Sequence, residues 1–407
     1  MAVAREISRV RDVLAATRLE HVRYAIRDIA VAAEQLARQG KEILPLNIGD
    51  PLQFDFRTPP HLIEAVVRAM RDGKDGYAPS QGIPEALEAI RAEAGRKGIA
   101  SLESVFVTQG VSEAVDLCLT ALVNPGENVL TPRPEYPLYS AVLAKLEAEP
   151  NAYALDEESG WEPDLEDLAA RVNPRTRAIV VINPNNPTGA VYSRATLQAI
   201  ADLARRHGLV VFADEIYDKL ILDGEPHVSL AALAPDVPVV TFGGLSKAYL
   251  APGWRVGWGV VSGDGAAVKP YVEGIHKLLR ARLSANHPEQ YAIGPALEGP
   301  QDHLIGVVRK LRARRDLTVE WCRSTPRVSC AAPRGAFYAF PRLEITGGDE
   351  EFVRQLLVST GVLVVHGSGF GQAPGTRHFR IVFLPEEPAL GRAYEAIGGF
   401  LETWGRG

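Results

Sequence analysis

The 407-residue sequence has little sulfur: three cysteines, Cys118, Cys322 and Cys330, and two methionines. Cysteines so few and so scattered build neither a disulfide framework nor a zinc ribbon, and they fit a reducing, cytosolic setting. No apolar run approaches the roughly 20 residues that cross a bilayer; runs such as 178–182 and 209–213 are strand length. The amino terminus interleaves Arg5, Arg9, Arg11, Arg18 and Arg23 with Glu6, Asp12 and Glu20. It therefore lacks the apolar stretch of a signal peptide. Neither charge sign dominates. The 44 basic and 50 acidic residues are mixed along the chain, which gives no electrostatic case for nucleic acid or an anionic membrane. The nine histidines show no metal-ligand spacing, and no metal site is expected. No internal repeat or low-complexity segment is visible.

What the sequence does have is ordinary globular usage, 46% apolar and 23% charged, which excludes wholesale disorder, collagen and coiled coil. At about 150 residues per domain, the length predicts two or three domains. The first forty residues read as helix, with Val22, Ile26, Ile29, Ala33 and Leu36 on one stripe and Gly40 as the stop. Beyond Gly49-Asp50-Pro51, short apolar runs at 104–108, 128–131, 178–182, 209–213, 238–242 and 256–261 alternate with helix-length segments. That rhythm predicts βαβ units and a mostly parallel sheet with helices on both faces. From about residue 286 it shifts to a long basic helix at 301–322. Short strands are predicted at 328–332 and 336–340, a helix at 350–360, strands at 362–365 and 379–383, and a final helix. The expected division is an N-terminal helical segment, 1–50, that joins the small domain. A large domain follows at 51–290 and a smaller α+β domain at 291–407.

Ligands of such sheets bind beyond the carboxyl ends of the strands. There stand Gln109-Gly110-Val111-Ser112-Glu113 at a helix start and Asn183-Pro184-Asn185-Asn186-Pro187-Thr188-Gly189. Asp214 and Tyr217 follow the next strand, and Ser246-Lys247 with Arg255 the one after. An acid, a tyrosine, an amide, a lysine, an arginine and a helix amino terminus at one rim suit an anionic, aromatic, aldehyde-bearing cofactor. The segment Gly244-Leu245-Ser246-Lys247-Ala248-Tyr249-Leu250-Ala251-Pro252-Gly253-Trp254-Arg255-Val256-Gly257 resembles the lysine loop of the class I aminotransferases, pyridoxal 5'-phosphate enzymes of fold type I. The resemblance runs in order from about Asn47 to Arg380. Asn47-Ile48-Gly49-Asp50-Pro51, the Gln109–Glu113 turn and Phe212-Ala213-Asp214-Glu215-Ile216-Tyr217-Asp218-Lys219 look most like the bacterial glutamate–pyruvate (alanine) members. It implies a seven-stranded, mostly parallel sheet sandwiched by helices, with a smaller α+β domain.

The resemblance also implies roles. Lys247 would join the cofactor aldehyde and later carry a proton, work that suits an amine of depressed pKa. Asp214 would pair with the ring nitrogen; taken alone, it reads as a helix cap. Tyr217 and Asn186 would hydrogen-bond the phenolic oxygen. Gly110, Val111 and Ser112 would offer helix-start N–H groups to the phosphate, and Ser246 and Arg255 a hydroxyl and a charged clamp. Tyr136 would stack on the ring. Arg380 would grip the substrate α-carboxylate, helped by Gly49, with Arg377 as its rival. Tyr77 would reach the phosphate of another subunit, which implies a homodimer. Taken singly, most of these read as turn, packing or surface residues.

Gly367-Ser368-Gly369-Phe370-Gly371 only superficially resembles a dinucleotide loop, because Gln372 replaces the final glycine; it reads as a flexible loop. His366 before it reads as structural. The expected reaction is transamination in two half-reactions, the pyridoxal and pyridoxamine forms alternating in a ping-pong scheme, with alanine and glutamate as the favoured donors, in the cytoplasm. A C–S β-lyase on the same scaffold stays open, as does, remotely, a regulator carrying an aminotransferase-like domain. The segment before Asn47 is too short and too evenly charged for the DNA-binding domain such a regulator needs. Whether Arg280 or Arg282, flanking Ala281, meets a side-chain carboxylate depends on register, and the amino-acid pair, the direction and any larger assembly stay open.

Overall fold

The computed structural model describes residues 13–22, 25–224 and 226–404. Near the amino terminus the chain forms β1 (Leu44–Pro45). The main sheet contains β2 (Leu102–Gln109), β3 (Asn128–Arg133), β4 (Glu149–Asp156), β5 (Glu162–Pro163), β6 (Thr176–Ile182), β7 (Val210–Asp214), β8 (Val239–Gly244) and β9 (Val256–Ser262). Their order across the sheet is β2-β9-β8-β7-β6-β3-β4-β5. The run β8-β7-β6-β3-β4 is parallel; β9 lies antiparallel between β8 and β2. The six strands expected from apolar runs are all present. The expected count of seven is one short: a two-residue eighth, β5, pairs antiparallel with β4 at the edge.

The central strands are near-continuous apolar runs because helices dry both faces of the sheet. Alternate residues of one strand therefore enter different cores. Ile179 and Val181 pack on one face, and Ala178, Val180 and Ile182 on the other. The strands thus end on a rigid rim, and the loops that follow start from fixed points.

Among the described residues of the first forty, helix is shorter than the periodicity suggests. A 3-10 turn spans Thr17–His21, and the helix itself covers Ala25–Arg38 and ends before Gly40, whose φ is +90°. Residues 1–12 and Arg23 lie outside the described residues.

The carboxyl-terminal part adds β10 (Val328–Ser329), β11 (Tyr338–Ala339), β12 (Arg342–Leu343), β13 (Val362–Leu363), β14 (Val365–His366) and β15 (Phe379–Val382). β15 is central, antiparallel to both β11 and β14, while β10 pairs with β12 and β1 with β13. The segment after β1 is thus tied to the last strands: Leu46 donates to the Leu363 carbonyl, and Val382 donates back to that of Leu46. A second tie comes from the helix Asp302–Ser324. Arg314 of that helix reaches both carboxylate oxygens of Asp55 at 2.8 Å, and Lys310 reaches one of them at 2.8 Å.

Candidate active site

A cavity of about 500 Å³ opens beyond the carboxyl ends of the parallel strands, a size suited to a small organic cofactor and substrate. Its lining holds Gly49, Val111, Ser112, Tyr136, Asn186, Asp214, Tyr217, Ser246, Lys247, Arg255 and Arg380. Of the residues expected at a site, only Gly110 and Tyr77 stand outside it. Gly110 lies directly behind Arg255; Tyr77 is 82% exposed on the surface.

Each side chain is delivered by a local cause. Asp214 is the last residue of β7, in register with Ile182 and Phe242 of its neighbours. Buried to 4%, it accepts hydrogen bonds from the Ile216 N–H (3.3 Å) and the Tyr139 hydroxyl (3.1 Å). The turn after it is pinned from below. Lys97 pairs with Asp218 at 2.5 Å and Glu215 at 3.2 Å, and the Ser229 hydroxyl also donates to Glu215. That ionic anchor holds Tyr217 toward the cavity, where its hydroxyl lies 2.7 Å from that of Tyr338. The Asn-Pro-Asn-Asn-Pro turn is held by Asn185, which takes Thr188 into its own carbonyl oxygen and so leaves Asn186 to face the site. Asn186 Oδ1 accepts from Arg380 Nη1 at 2.9 Å, and Arg380 also donates to the Asn47 carbonyl.

At the other end, the helix Val111–Leu122 begins at Gly110, which has φ +78° and brings no side-chain cap. The Gly110 and Glu113 N–H groups donate to the Thr108 and Gly110 carbonyls, which leaves those of Val111 and Ser112 to face an anion, and the helix dipole favours one. Arg255 packs where a Cβ on Gly110 would sit, donating to Pro252 and Gln109 carbonyls. Ser246 and Ser112 add hydroxyls to the same cradle.

Lys247 Nζ donates to the Gly49 carbonyl at 2.8 Å. Burial, joined by Arg380 and Arg255, pulls its amine down to about 8, against the pull of Asp50 and Asp214. Burial pushes the Asp214 carboxyl up to about 6, against the Ile216 N–H and the Tyr139 hydroxyl. An amine lowered in this way is more readily neutral, the form in which it can act as nucleophile or base. Asp214 is a sealed carboxylate that a cation would satisfy.

The alternatives weighed from sequence fall elsewhere. Arg377 binds the carbonyls of Gly347 and Gly375. Arg282 donates through Nη2 to the carbonyls of Ser80 and Val107 and lies 3.5 Å from Glu113, away from the cavity, and Arg280 is exposed at the end of its helix. His366 Nδ1 accepts from the Gly369 N–H and caps a 3-10 turn, Gly367–Phe370. That segment is no open loop: Phe370 is buried, its carbonyl accepts from the Glu135 N–H, and its ring lies 4.8 Å from the Arg380 guanidinium carbon. Two residues went unnoticed in the sequence, Tyr139 and Tyr338, because each sits within an apolar run. The available signal was the demand of a buried tyrosine hydroxyl for a partner.

A family model described as aminotransferase class I and II matches residues 41–397. The chain belongs to that family. It is 41% identical over 397 residues to a glutamate-pyruvate aminotransferase, AlaA, of Haemophilus influenzae, covering 95% of this chain and 98% of that one. An alanine aminotransferase of Mycobacterium tuberculosis is also 41% identical, covering 97% and 94%. Among solved structures, an alanine aminotransferase from Pyrococcus furiosus superposes with a TM-score of 0.92 at 40% identity, covering 96% of this chain and 100% of that one.

Aminotransferases of this class use pyridoxal phosphate, and the residues of this aminotransferase fit that group. An amine of lowered pKa, a phosphate-type cradle with no side-chain cap and a buried carboxylate raised by desolvation stand around one cavity. The fit extends to backbone scale: at Gly257 a Cβ would collide with the Val111 nitrogen, so only glycine lets β9 pass beneath the cradle.

Proposed function

We propose that this aminotransferase exchanges the amino group between the alanine–pyruvate and glutamate–2-oxoglutarate pairs in two half-reactions. The single observation that carries the reading is the convergence of Lys247, Asp214 and Arg380 on one cavity. The named activities of the relatives support the choice of substrates. When bound, the cofactor supplies an aldehyde that captures the amino group and a ring that takes up the electrons left at Cα.

The chain does the rest. Arg380, braced by Asn186 and the Asn47 carbonyl, offers a planar fork to the substrate α-carboxylate, with the Gly49 backbone beside it. Lys247, as a neutral amine, takes the proton from Cα and returns it on the cofactor side. Asp214 holds the positive ring nitrogen, with Tyr139 and Ile216 fixing the carboxylate. Tyr217 and Asn186 hold the phenolic oxygen, Tyr136 covers the ring, and Gly110, Val111, Ser112, Ser246 and Arg255 hold the phosphate. The same reading makes the working form a cytoplasmic homodimer. The exposure of Tyr77, away from its own cavity, supports a reach into the partner's phosphate site.

The test is spectral. Protein saturated with pyridoxal phosphate is mixed with L-alanine; the visible band is expected to fade as stoichiometric pyruvate forms. Addition of 2-oxoglutarate should restore it and yield glutamate. A band unmoved by alanine and glutamate, with no oxo acid formed, overturns the proposal. So does pyruvate released with ammonia from cystathionine without an acceptor.

A further inference from the structure

Tyr338 stands where the two halves of the site meet. It lies in β11 opposite Val382 of β15, the strand that also carries Arg380. Its side chain is 2% exposed and lines the cavity. The hydroxyl is 2.7 Å from the Tyr217 hydroxyl, and the two rings meet edge to face at 5.6 Å and 87°. The Arg380 guanidinium carbon lies 4.8 Å from the centre of the Tyr338 ring.

We propose that Tyr338 is a positioning residue for transamination: its hydroxyl sets the hydrogen-bond direction of Tyr217, and its ring holds the Arg380 fork. The inference rests on the reading of Lys247, Tyr217 and Arg380 given above. Tyr217 has one proton to donate. If that proton goes to the cofactor's phenolic oxygen, the 2.7 Å contact must be a hydrogen bond donated by Tyr338. A hydroxyl that accepts a hydrogen bond is polarised and becomes a better donor. Tyr338 thus strengthens the pull of Tyr217 on that oxygen. Its ring serves a different end. A guanidinium over an aromatic face is held electrostatically while its N–H edge stays open to a carboxylate.

The two functions separate by substitution. Tyr338→Phe keeps the ring and removes the oxygen; Tyr338→Leu removes both. The first measurement is the pH titration of the visible band of wild-type protein saturated with pyridoxal phosphate. With Tyr338→Phe, Tyr217 draws less electron density from the phenolic oxygen, which then holds the neighbouring proton harder. The titration midpoint is expected to rise by about one pH unit, with KM for alanine changed less than about twofold. With Tyr338→Leu, KM for both alanine and glutamate is expected to rise about tenfold as well. Affinity of the apo-protein for pyridoxal phosphate, read by fluorescence, should stay within about twofold in both variants, because neither touches the phosphate cradle. A Tyr338→Phe midpoint equal to the wild type overturns the hydroxyl's role. A Tyr338→Leu KM equal to that of Tyr338→Phe overturns the ring's. If wild-type protein shows no titrating band, the lysine reading fails first and takes this one with it.

Discussion

Asp214 carries a carboxyl out of water; among the described residues no cation is in hydrogen-bond contact with it, and its partners are a tyrosine hydroxyl and a backbone N–H. Burial raises it from the ordinary 3.8 to about 6. The sign of the effect on stability follows. The folded state binds the proton more tightly than the unfolded state, so no penalty exists well below pH 4. It grows as pH rises through the window from about 4 to about 6, and is fully present above that. An uncharged amide should remove it. Asp214→Asn is therefore expected to leave the apo-protein at least as thermostable as wild type at about pH 7.5, the difference narrowing toward about pH 5. Its affinity for pyridoxal phosphate should fall more than about tenfold, since a neutral amide cannot meet a positive ring nitrogen. Thermal melts across pH, with a cofactor titration, check both. At this scale the sequence was generous with groups that do chemistry and silent on those that aim them. Lys247 and Asp214 stand at or just past strand ends within recognisable loop signatures, and Arg380 lies in the apolar strand β15. Tyr139 and Tyr338 are hidden among Leu, Val, Ala and Phe, where a tyrosine reads as one more core ring until its hydroxyl's partner is known.

Elements show the same division between pattern and context. The strands buried on both faces were legible from β-branched runs. β4, with the sequence Glu-Pro-Asn-Ala-Tyr-Ala-Leu-Asp, has no β-branched residue and opens half exposed near the sheet edge. Pairing with β3 makes it a strand, and nothing local announces that. The carboxyl-terminal strands predicted at 328–332, 336–340, 362–365 and 379–383 are present but shortened to two to four residues, with 362–365 split into β13 and β14, and β12 was not foreseen. The tie between Asp55 and the helix Asp302–Ser324 is also a tertiary fact. Arg314 is 1% exposed, so removing its carboxylate strands a buried charge. Asp55→Ala is expected to lower unfolding free energy by about 3 kcal/mol in urea titrations. A loss under about 1 kcal/mol would mean that the Leu384 carbonyl and the Glu387 carboxylate at 3.9 Å, its other partners, suffice.

For the whole molecule, the change from alternating βα rhythm to a long basic helix was legible, and the structure has the main sheet before that helix, Asp302–Ser324, and the short strands β10–β15 after it. The proposed homodimer needs a surface that no periodicity of the sequence marked. The helix Pro60–Arg71 leaves Ile63, Val67 and Met70 exposed at successive turns of one face, and Tyr77 follows it. A stripe of this kind supports the proposed homodimer contact. Sedimentation is expected to give twice the chain mass, and Val67→Glu to give a monomer with weakened cofactor affinity. A Val67→Glu dimer with unchanged affinity would place the contact elsewhere.

The tie of Leu44–Pro45 to Val362–Leu363 has a consequence for biosynthesis. A ribosome releases this chain from its first residue onward, and domains fold as they emerge. The strands from Leu102 to Ser262 can close into their sheet while the partners of residues 44–47 are still untranslated. The front of the protein must wait, unplaced, for its far end. A nascent chain stalled short of Val362 would hold a closed main sheet while Leu44–Leu46 still lacked the strands that anchor them.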